Sequence, residues 1–511
     1  MKQLGGMDAS FLYMETPQTP MHVGSLSIVE LPKGFKGDFY ETYKALLAQR
    51  LHLVPVLHKK LMQVPWDIDH PLWVDDDEME LDYHVRHLGL PRPGTMKQLE
   101  ELVSRLHSNF LDRSRPLWEF YVIDGLSGGR VAVYLKIHHA AVDGGASMAL
   151  VNMMYDVTPE PRQVEPPPKA GPKGAAPDAA ELIGTAYRNM FEQQVGVLRK
   201  LPELLKAIAS IATPVLSGTT RFVVKGLPTL AVPKTMLNAS ITSQRAFTGR
   251  TLPLAQAKAI AKKSGTKLND VVMALCAGAL RRYLLERRAL PKEPLIAFVP
   301  VSLREAGNTE SNNQVSGMLC SLATEIADPL ERLKAIHASS TEAKALTGKL
   351  KDATPRDFSS FGAPLLLQGA IGLYGRSGLA DQLPPPANVV ISNVPGPQAP
   401  FYVAGAKILT MYPVSIPSHG MALNMTVLSY QGELDFGLTA CRRTVPELGK
   451  MADYLGQSLQ ELHGAVLGQA PAEVAAPPRK RARPATAVAP KPRAPARRPK
   501  PAAQPRTIST R

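Results

Sequence analysis

Residues 131–155 read VAVYLKIHHAAVDGGASMALVNMMY, and the order of side chains along this stretch decides how the chain is read. Its first seven residues, Val131 to Ile137, are mostly β-branched, aromatic or aliphatic, the types that suit a strand. Two histidines close that run, Asp143 and two glycines follow, and from there a helical pattern continues to Tyr155. Neighbouring side chains of an extended segment point to opposite faces. His138 and His139 therefore cannot share one pocket while strand geometry lasts: one can serve as a base and the other packs inward. A hydroxyl holds its proton far above neutral pH, and a positioned imidazole is suited to take it as the oxygen attacks a carbonyl. Asp143 beside a helix start is electrostatically favoured, and Gly144 and Gly145 allow a tight backbone that side chains would block. Two other readings stand beside this one: a structural histidine pair, and a metal site, which lacks a nearby third ligand or HExxH spacing.

Outward from this stretch the pattern is α/β. Residues 25–31 alternate as a half-buried strand, 39–53 and 96–111 have helical spacing, and 118–123 with 130–137 form a hairpin around Asp124-Gly125-Leu126-Ser127-Gly128-Gly129. That turn matches GxSxG, but the serine-hydrolase elbow joins a strand to a helix, and this segment joins two strands. Seven prolines between residues 159 and 177 mark an extended linker. Residues 181–213 read as amphipathic helices, suited to bridging two domains or to lying on a membrane surface. A second α/β series starts near residue 245, with helices expected at 254–263, 268–288, 330–349 and 447–467. Its strands are expected at 294–301, 389–391, 407–411, 422–429 and 433–439. The division expected is 1–158, an N-terminal domain with the histidine motif; 159–240, linker and bridging helices; 241–468, a C-terminal domain; and 469–511, a tail of Ala, Pro, Lys and Arg that cannot bury enough surface to fold.

The net charge of +15 at first suggests nucleic acid or an acidic membrane as partner. Eleven Lys or Arg against the single acid Glu473 place +10 of it in residues 470–511, which leaves the body mildly basic. Three scattered cysteines, Cys276, Cys320 and Cys441, give no disulfide framework or zinc spacing and fit a reducing cytoplasm. No signal peptide and no apolar run long enough to span a bilayer is expected, and the nucleotide motifs GxxxxGK[ST] and GxGxxG do not occur. Trp73 and Trp118, each after Pro-Leu, read as core anchors rather than ligand platforms. His84 and His87 read as polar residues at a strand end, and residues 362–375 as either a buried helix or the lining of an apolar channel.

HHAAVDG, residues 138–144, matches the HHxxxDG motif of the CoA-dependent acyltransferase superfamily, which includes chloramphenicol acetyltransferase, plant acyltransferases and peptide-synthetase condensation domains. Further segments are Met7-Asp8-Ala9-Ser10-Phe11, Met21-His22-Val23-Gly24, Pro71-Leu72-Trp73-Val74, Pro116-Leu117-Trp118, Asn269-Asp270, Val299-Pro300-Val301-Ser302-Leu303-Arg304 and Ser392-Asn393-Val394-Pro395-Gly396-Pro397. In that order the set resembles bacterial bifunctional wax ester synthase/diacylglycerol acyltransferases, from about residue 4 to residue 467. The resemblance implies an α/β fold of two chloramphenicol-acetyltransferase-like domains with the active site in a channel between them, to which composition adds a disordered basic C-terminal tail. It implies transfer of a fatty acyl group from acyl-CoA to a fatty alcohol or to diacylglycerol, with no cofactor, no metal and no acyl-enzyme. His139 is the implied general base, with His138, Asp143 and Gly144 supporting the motif. Asn269, Asp270, Ser392, Asn393 and Asp435 are the implied substrate-binding or site-shaping residues, Asn393 as a candidate donor to the oxyanion. A helix-capping role competes for Asn269 and Asp270, and Asp435-Phe436-Gly437 resembles the DFG-containing second motif, although Leu438 replaces the tryptophan of plant members. The expected location is the cytoplasm, with peripheral contact at the inner membrane face or lipid inclusions and no specific nucleic acid. Two other functions remain: condensation on carrier-protein thioesters, and a non-enzymatic lipid-surface protein led by its basic tail.

Overall fold

The computed structural model describes residues 2–65, 69–142, 144–167, 232–302, 315–351 and 379–468. The bridging helices expected at 181–213, the run 362–375, Asp143, Arg304 and the basic tail lie outside these residues. The architecture is α/β, as the sequence led us to expect, and is built on two six-stranded mixed sheets.

In chain order the N-terminal elements are α1 (Gly6–Met14), β1 (His22–Glu30), α2 (Phe39–Arg50), β2 (Val85–Gly89), α3 (Met96–Ser108), β3 (Trp118–Leu126), β4 (Arg130–His138) and α4 (Gly144–Met154). The C-terminal elements are β5 (Arg245–Pro253), α5 (Leu254–Ser264), α6 (Leu268–Glu286), β6 (Ile296–Ser302), β7 (Val315–Ser321), α7 (Pro329–Lys351), β8 (Val389–Val394), β9 (Tyr402–Val403), β10 (Ala406–Val414), β11 (Leu423–Tyr430), β12 (Glu433–Cys441) and α8 (Leu448–Leu467). A small three-stranded sheet pairs Leu72–Asp75 with Lys2–Gln3 and Lys59–Met62.

The first sheet runs β9-β10-β1-β4-β3-β2, all antiparallel except β3 with β2. Gly125, Gly128 and Gly129 carry φ of 82°, 85° and 71° in the hairpin between β3 and β4, a left-handed turn that other residues rarely adopt. GxSxG is thus a hairpin here, as read from the sequence. One face of the sheet packs on α1, α2 and α4 through a core that includes Trp118, Phe120, Tyr43 and Met153. Trp118 is an anchor of that core: its indole N–H donates to Leu57 O at 2.8 Å and its ring stacks on His84. Trp73 belongs to the same cluster. The second sheet runs β7-β6-β8-β11-β12-β5, with β8 parallel to both its neighbours. Helix α6, apolar throughout from Val271 to Leu280, is buried around that stretch between the sheet, α5, α7 and α8, as a segment without a polar face must be.

Two features join the halves. Strand β10 comes from the C-terminal part of the chain but pairs with β1, Lys407 opposite Glu30 through Val414 opposite Gly24. Membership of the first sheet therefore does not follow the order of the chain. The same strand lies across the second sheet, where Met411 N–H donates to Asp435 at 2.7 Å and the Tyr412 and Thr251 hydroxyls meet at 2.9 Å. At the crossing, a Cβ on Gly437 would sit 1.7 Å from Pro413 O, so only glycine fits. The second joint is made by α3, which starts with a reciprocal cap between Thr95 and Gln98. Its residues Glu100, Ser104 and Ser108 share a helix face and accept the N–H groups of Gly249, Phe247 and Arg245 at 2.9, 2.9 and 3.0 Å. Four residues of helix rise about 6 Å and two of a strand about 6.7 Å, so the spacings match. The helix thereby satisfies an edge that would otherwise offer unpaired donors.

Candidate active site

Strand β4 ends at His138, and His139 opens a single 3-10 turn to Ala141 before α4 begins at Gly144. His138 points inward and is 1% exposed; its Nδ1 accepts the Ala140 N–H at 3.1 Å. The ring proton is therefore on Nε2, which faces Glu15 Oε1 at 3.5 Å. His22 lies opposite His138 in the strand register, and its Nε2–H donates to His107 O at 2.8 Å. His107 in turn donates from Nε2 to Ser415 O at 3.0 Å and accepts from Tyr134 at 2.8 Å. Burial holds His22 neutral and drives His107 down to about 3. These buried rings form the floor behind the turn.

His139 is different. It is only half-buried, and its ring stacks on Phe11 of α1 with centroids 3.9 Å apart and planes 16° from parallel. Its backbone N–H donates to Met21 O at 2.8 Å. Nδ1 is sealed from solvent and faces nothing beyond the residue's own carbonyl. Burial first, and His138 beside it, lower this imidazole to about 4, against a weaker upward pull from its own carbonyl. At neutral pH the ring is uncharged, with a lone pair ready for a proton.

Glu15, at the end of α1, holds the turn from the other side. Its carboxylate is 4% exposed and accepts from Arg113 Nε at 3.0 Å, Arg113 Nη2 at 2.7 Å and Met21 N–H at 3.0 Å. Arg113 also donates to Leu12 O at 2.8 Å, tying down the last turn of α1. Burial would raise the Glu15 carboxyl, but the contact with His138, the charge of Arg113 and the Met21 N–H outweigh it and hold the group at about 2. Sequence reasoning passed over Glu15, Phe11 and Arg113 as site residues. Phe11 and Met21 stand in segments that carry the family resemblance, and Glu15 lies between those segments.

The remaining sequence candidates fall in the second sheet and its helices. Asp270 is fully buried and accepts from Lys267 N–H at 3.0 Å, His337 Nδ1 at 2.6 Å and Ser340 Oγ at 2.6 Å. It caps α6 and binds that helix to α7. Asn269, the next residue back, accepts from Asn393 Nδ2 at 3.3 Å. Asn393 thus faces α6, and its neighbour Ser392 on β8 faces the opposite side of the sheet. Asp435 is 1% exposed and accepts from Thr251 and Met411 at the sheet crossing, not from the histidine turn. Burial raises its carboxyl to about 6, despite those two hydrogen bonds. Among the described residues, no three His, Cys, Asp or Glu gather as a metal site, and no helix is long and apolar enough to cross a membrane.

Residues 4–272 match the wax ester synthase/diacylglycerol acyltransferase catalytic domain, and residues 311–463 match the C-terminal domain of the same family. A putative diacylglycerol O-acyltransferase of Mycobacterium tuberculosis is 40% identical over 463 residues, covering 90% of this chain and 99% of that protein. One from Mycobacterium bovis is 38% identical over 468 residues, covering 90% and 98%. Among solved structures, the wax ester synthase/diacylglycerol acyltransferase from Marinobacter aquaeolei VT8 aligns with a TM-score of 0.65 at 34% identity, over 90% of this chain and 98% of that one. The starter condensation domain of rhizomide synthetase, at 11% identity and a TM-score of 0.52 over 92% and 95%, shares the fold.

Proposed function

We propose, from the premise that this chain belongs to the wax ester synthase/diacylglycerol acyltransferase family and is an acyl-CoA-dependent O-acyltransferase, that His139 is the general base of the transfer. The observation that carries this reading is the state of its ring. Nδ1 is shut away beside its own carbonyl, which favours a proton there, and in that tautomer the lone pair is on Nε2. Nε2 removes the proton of the acceptor hydroxyl as the oxygen attacks the thioester carbon. A tetrahedral oxyanion forms, the carbon–sulfur bond breaks, and the proton on Nε2 passes to the departing thiolate. The ester leaves with CoA, and no acyl-enzyme intervenes. The acceptor is the hydroxyl of a long-chain alcohol or of diacylglycerol, and the acyl chain is fatty. Both are lipids held at interfaces, so the enzyme works peripherally on a membrane or lipid-inclusion surface.

His138 serves the turn from the inside, and Asp143 and Gly144 are assigned to supporting the motif. Asn269, Ser392 and Asn393 are assigned to shaping the site, and Asp270 and Asp435 to holding the elements that carry it.

The test is His139→Ala, assayed as the purified full chain with radiolabelled palmitoyl-CoA and with hexadecanol and dioleoylglycerol offered together. Thin-layer chromatography separates the two esters and so also ranks the acceptors. Loss of a general base lowers turnover by about 10²–10⁴-fold. Wild-type turnover in the folded variant, judged by circular dichroism, would falsify the assignment.

A further inference from the structure

The histidine turn is held by a residue that no motif contains. Glu15 sits at the junction of three constraints on that turn. Through Oε2 it takes both Arg113 donors, and Arg113 also binds Leu12 O, which fixes the end of the helix that lays Phe11 on the His139 ring. Through Oε1 it takes the Met21 N–H, and the carbonyl of the same Met21 receives the His139 N–H. Oε1 also faces His138 Nε2 at 3.5 Å, while the other nitrogen of that ring accepts from Ala140 inside the turn.

A structural ion pair between Glu15 and Arg113 would need only the first of these contacts. The other two converge on the two histidines. His138 can accept from Ala140 only when its proton is on Nε2, and the Glu15 carboxylate, 3.5 Å from Nε2 and too far for a good hydrogen bond, favours that tautomer electrostatically. The opposite tautomer would set two N–H groups against each other at Nδ1 and would loosen the turn that aims His139.

We propose that Glu15 is a positioning residue for acyl transfer: its carboxylate selects the Nε2–H tautomer of His138 and, through Met21, sets the backbone from which His139 reaches the substrate hydroxyl. The inference rests on His139 as the base. It extends that reading to a residue that never touches substrate. By analogy, removing carboxylates that orient metal-bound histidines costs about 10–100-fold in affinity or activity.

The experiment compares Glu15→Gln, Glu15→Ala and His139→Ala in the full-length protein with palmitoyl-CoA and hexadecanol. Glutamine keeps the length of the side chain and one acceptor oxygen but must share it among donors that the carboxylate served together. Expected are a fall in kcat of about tenfold for glutamine and about a hundredfold for alanine, with KM for both substrates within about twofold. With ¹⁵N-labelled histidine, the ring nitrogens of His138 report the Nε2–H tautomer in the wild type and a mixed population in Glu15→Gln. Wild-type kcat in Glu15→Gln overturns the proposal. So does a loss of kcat that follows a lowered thermal midpoint while the His138 tautomer is unchanged. An active His139→Ala variant defeats the underlying reading instead, whatever the Glu15 variants do.

Discussion

Replacing Phe11 by alanine should change the pH at which the enzyme loses its base, and the size of the change follows from the stacked pair. The Phe11 ring covers one face of the His139 imidazole at 3.9 Å, and burial is the main reason that imidazole sits at about 4. A histidine whose folded pKa is depressed is neutral above that value and loses its basic form only as pH falls through it. At pH 5.5 a group at 4 is about 97% neutral, whereas one returned to the ordinary 6.5 is about 9% neutral. The wild type should therefore keep its rate from pH 7.5 down to about 5.5. The variant opens one face of the ring to water and recovers part of the gap, about 1–2 units, so its acid limb moves up by that amount. Measured as kcat/KM on palmitoyl-CoA by quenched radiolabel transfer between pH 4 and 8, the two profiles should separate by severalfold near pH 5.5 when each is scaled to its own plateau. Superimposed acid limbs, or a wild-type midpoint near 6.5, refute the argument that Phe11 and burial set the proton affinity of the base.

Two further predictions concern the place where β10 crosses the second sheet. Gly437→Ala drives a Cβ to 1.7 Å from Pro413 O, between backbones that cannot both move, and should lower the unfolding free energy in urea by about 1–3 kcal/mol or more. Gly464→Ala, inside α8 with nothing within 4 Å of the new methyl, should instead stabilise by about 0.5–1 kcal/mol; equal effects at the two sites would contradict the crossing. Asp435→Asn tests the buried carboxyl. Its folded pKa of about 6 exceeds its ordinary value of 3.8, so the folded state keeps a proton that the unfolded chain has released. Stability from this group therefore falls as pH rises from about 4 to about 6, by about 3 kcal/mol in all. Asparagine does not titrate, and the urea midpoint of the variant relative to wild type should move in its favour across that interval and level off above it. A difference independent of pH would show that the carboxyl titrates normally.

Much of this was legible beforehand, and the reasons for success and failure are physical. The helices at 96–108, 254–264, 268–286 and 448–467 lie within a few residues of the periodicity that suggests them, because amphipathic or apolar spacing is local information. Strand β5 was not read as a strand. Its RAFTGRTLP has no clean alternation, and it is held by α3 along one edge rather than by a second neighbouring strand. Strand β7 was missed because VSGMLCS carries a glycine in its interior, the space over which is taken by the Phe298 ring. The residues of β10 were recognised as a strand, but pairing is decided by partners distant in sequence, so nothing local says that they belong beside β1. Glu15 escaped for a related reason. A glutamate in a polar segment looks like surface, and only the folded chain brings Arg113, Met21 and His138 to it.

The placement of β10 also has a consequence for synthesis. When residues 1–158 have left the ribosome, β1 has β4 on one side and nothing on the other, and its missing neighbour lies at residues 406–414. At about 5–20 residues per second, the nascent chain waits on the order of ten seconds or more with that flank open. The first half can gather its core early, but it finishes its sheet only when most of the polypeptide has emerged. A chain cut off before residue 406 would leave the bare flank of β1 available to another molecule.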